Sequence, residues 1–97
     1  MRVYTKSTLR KFWEKYPDCK DQLLTWYKIT EKASWNSVSD IKEIFKRISV
    51  LKDNRIVFDI KGNHYRLIVK FNFTKGWAFI RFFGTHSEYD KIDANII

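Results

Sequence analysis

The sequence predicts one α+β domain spanning residues 1–97, a small antiparallel β-sheet with amino-terminal helices packed on one face. Three observations carry this. Apolar residues recur at helical spacing through the first half, the period changes to two from residue 49 onward, and a Gly-Asn pair separates two strand-like runs. With 44% hydrophobic and 18% aromatic residues, the chain can bury a core, and 97 residues hold one core rather than two.

Arg2 to Thr5 read as a short strand, and Ser7 as the N-cap of a helix that runs to Tyr16 and is closed by Pro17. Asp18 is expected to cap a second helix, Cys19 to Lys32, on which Leu23, Leu24 and Tyr27 form an apolar stripe, with Trp26 a further candidate for it. Ala33 to Ser39 read as a connection. Ser39 then caps a short helix, Asp40 to Arg47, with Ile41, Ile44, Phe45 and Ile48 on one face. Strands follow at Arg55 to Ile60, His64 to Phe73 and Trp77 to Thr85, joined as an antiparallel meander.

A two-residue loop at Gly62-Asn63 sets Asp59 opposite Arg66 and aligns Ile56, Phe58 and Ile60 with Tyr65, Leu67, Val69, Phe71 and Phe73 on the core side. The other side collects Arg55, Asp59, His64, Arg66 and Lys70, an open basic face. Whether Arg81 joins that face is left open by the Thr74-Lys75-Gly76 loop, where a bulge would shift the register. The last strand is apolar on both sides and needs a second cover, for which the segment after Thr85 is available.

The net charge of +8 is spread along the chain, with 11 basic against 6 acidic residues in positions 1–48 and 8 against 5 in 49–97. Such a surface attracts polyanions, RNA or DNA first and anionic membrane second; solubility or an acidic protein partner would also account for it. The single Cys19 excludes an internal disulfide and a cysteine-based zinc site, and two distant histidines do not replace it. No metal or cofactor is expected. The first residues lack an apolar signal core, and no stretch approaches the roughly 18 apolar residues of a membrane span, so the expected location is the cytoplasm.

Chemistry concentrates near the carboxyl end, where Arg66, Lys70 and Arg81 are followed by GTHSEYD with His86, Glu88, Tyr89 and Asp90. Guanidinium groups match phosphate oxygens in pairs and stabilise charge building on phosphorus. A histidine or tyrosine moves protons, and RNA supplies its own nucleophile, the 2′-hydroxyl. Plainer readings fit the same residues. Asp59 and Arg66 can be a cross-strand pair, His86 can cap a turn, and Ser87 to Asp90 can open a short helix with acids near its positive end. The alternatives are a non-catalytic RNA-binding domain that uses the same face and a partner that assists a helix-turn-helix protein on DNA.

The run RIVFDIKGNHYRLIVKFNF, followed by WAFIRFFGTHSEYDKID, resembles the HigB family of toxins from bacterial toxin–antitoxin pairs, through its GN-x-YRL strand and its IRF-x-GTH-x-EYDKID ending. Ser7 to Asp18 and Trp26-Tyr27 are also similar to that family. The resemblance implies a RelE-like fold and an endoribonuclease that cuts messenger RNA on the translating ribosome without a metal. It also implies a cognate helix-turn-helix (HigA-like) antitoxin, through which the pair reaches operator DNA. Carried over by position, Arg66 and Arg81 would hold the scissile phosphate, and His86 or Tyr89 would transfer protons. Arg55, Lys70 and Asp90 would serve the RNA, Asp90 chiefly by orienting a neighbour. Thr85, Glu88 and Asp93 match the motif with no role beyond turn and helix capping.

Overall fold

The computed structural model describes residues 1–97. A short strand β1, Arg2–Tyr4, leads into helix α1, Lys6–Lys15. Thr5 rather than Ser7 caps α1, its hydroxyl accepting from the Thr8 N–H at 3.4 Å. Pro17, which lacks an N–H and fixes φ, ends α1 and opens a single 3₁₀ turn, Pro17–Cys19. Helix α2 therefore spans Lys20–Lys32, and Asp18 does not cap it, because its carboxylate accepts from the Tyr65 hydroxyl at 3.2 and 3.3 Å instead. Helix α3, Val38–Ile44, begins after Ser37 and stops before Phe45, whose backbone turns extended while its ring packs edge-on to Trp35 and Phe58.

Five strands form one sheet in the order β1-β5-β4-β3-β2, with β2 at Ile48–Val50, β3 at Arg55–Ile60, β4 at Tyr65–Asn72 and β5 at Trp77–Thr85. Strand β2 was not foreseen. The expected purely antiparallel sheet is mixed instead, because the chain leaves β1, crosses through three helices and re-enters at the far edge, so that β1 lies parallel to β5. Asp59 faces Arg66 and Ile60 faces Tyr65 as expected. The connection is four residues long, positions 61–64, with Lys61 and Gly62 at φ of 55° and 68°.

The bulge falls in β5, not in the 74–76 loop. Ile68 pairs with Phe82 and Val69 with Ile80, so Arg81 is the extra residue. One added residue resets the alternation: Ile80 and Phe83 both reach the helix side, while Phe82 reaches the other. On the helix side, Leu9, Leu23, Trp26 and Ile41 pack on Ile56, Phe58, Leu67, Val69 and Phe71. On the outer side a smaller cluster, Val57, Ile68 and Ala94 with Phe82, Tyr89, Ile92 and Ile97, supplies the expected second cover. No helix is long and apolar enough to cross a membrane.

Candidate active site

The chain turns sharply at the end of β5 into helix α4, His86–Asp90. Gly84 permits it: a Cβ there would lie 2.8 Å from Phe82 Cζ and 3.0 Å from Glu88 Oε1. Thr85 and Glu88 form a capping box, the Thr85 hydroxyl accepting from the Glu88 N–H at 3.1 Å and the Glu88 carboxylate accepting from the Thr85 N–H at 2.8 Å. The Tyr16 hydroxyl donates to the same Glu88 oxygen at 2.9 Å, so the residue that ends α1 clamps α4. The Thr85 N–H and then the Tyr16 hydroxyl hold the Glu88 carboxyl below the usual range, while burial, followed by the bond to Glu88, raises the Tyr16 phenol.

This turn sets two pairs at one end of the sheet. The His86 N–H donates to the His64 carbonyl at 2.9 Å, extending the ladder, and its Nδ1 lies 3.0 Å from Asp90 Oδ2 one helical turn on. A carboxylate on Nδ1 orients the ring and leaves Nε2 free to face a substrate. Both side chains are about half exposed, 47% for His86 and 59% for Asp90. Arg66 donates to the Asn63 carbonyl at 3.0 Å, pairs with Asp59 at 3.4 Å and lies 5.7 Å from the Tyr89 ring centroid. No hydrogen bond or ion pair joins the two pairs.

Beside them opens a polar cleft of about 530 Å³ lined by Asp18, Lys61, Asn63, His64 and His86 among others. Lys61, Asn63 and Asp18 were not expected at this cleft; the Gly-Asn turn that places Lys61 and Asn63 was an available signal, whereas Asp18 arrives from the 3₁₀ turn after Pro17. Burial and then the Asp18 carboxylate push the Tyr65 phenol up to about 12, and the same two causes raise the Cys19 thiol to about 11. No group of three His, Cys, Asp or Glu side chains is placed to hold a metal ion.

The other expected residues lie elsewhere. Arg66 faces Gly84 on β5, three residues beyond Arg81, about 10 Å along the strand. Arg81 donates through Nε to the main-chain oxygen of Ile97 at 3.3 Å and lines a second cleft with Lys70. Arg55 corrects an expectation: it is only 7% exposed, not part of an open face. Its guanidinium donates to the same Ile97 oxygen at 2.9 Å and meets Asp53 at 3.5 Å, because the carboxyl-terminal segment folds over it.

Residues 19–92 match the HigB toxin family, the RelE-like toxic component of a toxin–antitoxin system. The chain belongs to that family. The match runs from the start of α2 through α4 and so contains both pairs at the sheet end. This HigB-family chain is also 29% identical over 96 residues to the mRNA interferase toxin HigB of Escherichia coli strain K12, covering 97% of the chain and 92% of the relative. The mRNA interferase HigB proteins of Escherichia coli O157:H7 and Shigella flexneri match with the same identity and coverage. As the toxic component of such a system, a HigB-family toxin has an antitoxin as its partner.

Proposed function

We propose that this toxin is an mRNA endoribonuclease that stops translation by cutting message on the ribosome, with the RNA 2′-hydroxyl as nucleophile and no metal or other cofactor. The relatives are named mRNA interferases, and the His86–Asp90 pair at the same end of the sheet as Arg66, on a protein of charge +8, is the observation that carries the reading. In this scheme His86 Nε2 takes the 2′-hydroxyl proton as the 2′-oxygen attacks phosphorus. The 5′-oxygen leaves and takes a proton from Tyr89, giving a 2′,3′-cyclic phosphate and a 5′-hydroxyl. Arg66 neutralises the developing charge, and Arg81 and Lys70 hold neighbouring phosphates. Asp90 acts through His86.

The partner is a HigA-like helix-turn-helix antitoxin that carries the pair to operator DNA, and the site of action is the cytoplasm. The test is cleavage of a defined message in a reconstituted translation system, with and without ribosomes, with the fragment ends characterised. The expected fragments appear only with ribosomes, carry 5′-hydroxyl ends and vanish when the cut nucleotide is 2′-deoxy. Fragments with 5′-phosphate ends would overturn the mechanism. His86 is the first residue of a short helix capped by the Thr85–Glu88 capping box, which favours a second reading in which it is structural and the domain binds RNA without cutting it. Intact message alongside blocked translation would select it.

A further inference from the structure

Three half-buried aromatic rings, Tyr4, Trp77 and Phe79, belong to neither hydrophobic cluster. Tyr4 stacks on Phe79 with centroids 5.1 Å apart and planes 17° apart, and Trp77 meets the two rings edge-on at 6.0 and 5.8 Å. Register explains the grouping. Tyr4, Phe79 and Lys70 make one row across three strands, and Arg2, Trp77 and Asn72 make the row two residues along, on the same face. Helices cover the opposite face, and the carboxyl-terminal cover sits over Val57, Ile68 and Phe82 instead.

The rings are thus left beside an open cleft of about 900 Å³ lined by Trp77, Phe79, Lys70 and Arg81. More cations surround it: the Arg2 guanidinium lies 5.3 Å from the Tyr4 ring centroid and the Lys75 ammonium 5.1 Å from that of Trp77. Aromatic faces with a cationic rim suit an unpaired nucleobase, whose π-face stacks while its phosphates meet the cations. We propose that this cleft is a base-stacking subsite for single-stranded RNA. The inference rests on the endoribonuclease reading, and it places the subsite on the substrate strand itself. Lys70 stands about 13 Å along β4 from Arg66 at the usual rise of about 3.3 Å per residue. That distance is about four nucleotides at the 3.4 Å spacing of a stacked strand.

Trp77 also reports on the site, since Trp13, Trp26 and Trp35 are only 9%, 2% and 7% exposed. The probe is a 2′-O-methyl RNA hexamer, which lacks the attacking hydroxyl, set against an abasic phosphate oligomer of equal length. The hexamer should quench tryptophan fluorescence. Its affinity, read by the anisotropy of a labelled hexamer so that it does not depend on Trp77, should exceed that of the abasic oligomer and fall about 5-fold to 160-fold in Phe79→Leu and in Trp77→Leu, the range of one stacked base. Thermal unfolding of both variants checks that each is folded, and a folded one suffices. Equal binding of the two oligomers, or leucine variants that bind the hexamer like wild type, would overturn the subsite. Quenching by the antitoxin but not by the hexamer would overturn it too, and assign the face to protein. The hexamer is never cut, so binding without message cleavage would sink only the endoribonuclease reading, and cleavage without stacking only the subsite.

Discussion

Glu88 accepts from both the Thr85 N–H and the Tyr16 hydroxyl, and those bonds favour its charged form in the folded state. A carboxyl depressed on folding contributes stability above the ordinary glutamate pKa of about 4.3, and that stability is lost as pH falls through the lower native value. Glu88→Gln should therefore flatten the acid limb of the stability profile. Denaturant midpoints from pH 6 to pH 3 check this, and parallel profiles for variant and wild type would contradict it. Arg55 makes the complementary case. Its side chain is buried against the Ile97 oxygen and Asp53, so Arg55→Ala should cost about 1–3 kcal/mol of stability while leaving affinity for RNA unchanged. Chemical denaturation alongside oligomer binding separates the two effects. Sequence alternation placed Arg55 on the outer side correctly, but what covers that side is a tertiary fact that alternation does not contain.

The hairpin of β3 and β4 was legible because a Gly-Asn turn and strict alternation fix register together, and Asp59 does face Arg66. The bulge at Arg81 was not, since nothing in AFIRFFG marks which residue goes unpaired. Its effect is large: it decides that Phe82 joins the outer cluster while Phe83 joins the main core. Strand β2 was missed because Ile48, next to Ile44 and Phe45, also continues a helical face, and β1 was found without its parallel partner because that pairing spans most of the chain. The turn between β5 and α4 is the element on which the candidate site depends. Gly84→Ala forces a Cβ against Phe82 and the clamped Glu88, and should destabilise the fold by about 1–3 kcal/mol. Thermal unfolding measures it, and an unchanged midpoint would show that α4 moves freely.

Within a net charge of +8 spread over the whole molecule, two small groups of cations stand apart, Arg66 and Lys61 near α4 and Lys70 and Arg81 in the cleft beside Trp77 and Phe79. If both groups hold one strand, about three to four phosphates are neutralised, and log affinity for single-stranded RNA should fall with log salt at a slope of about −2 to −3. A titration series in potassium chloride checks it, and a slope near −1 would confine RNA to one group. Family membership was legible in GTHSEYD and GN-x-YRL, whereas the division of the site was not, because it arises from the bulge and from the carboxyl-terminal segment laid across the sheet. The central claim is that the His86–Asp90 pair performs proton transfer. Cleavage rate of a ribosome-bound message by His86→Ala, at saturating toxin and with folding verified, tests it most directly. The account predicts a loss of about 100-fold or more with RNA affinity retained; a rate within twofold of wild type would contradict it and leave His86 as the first residue of a capped turn.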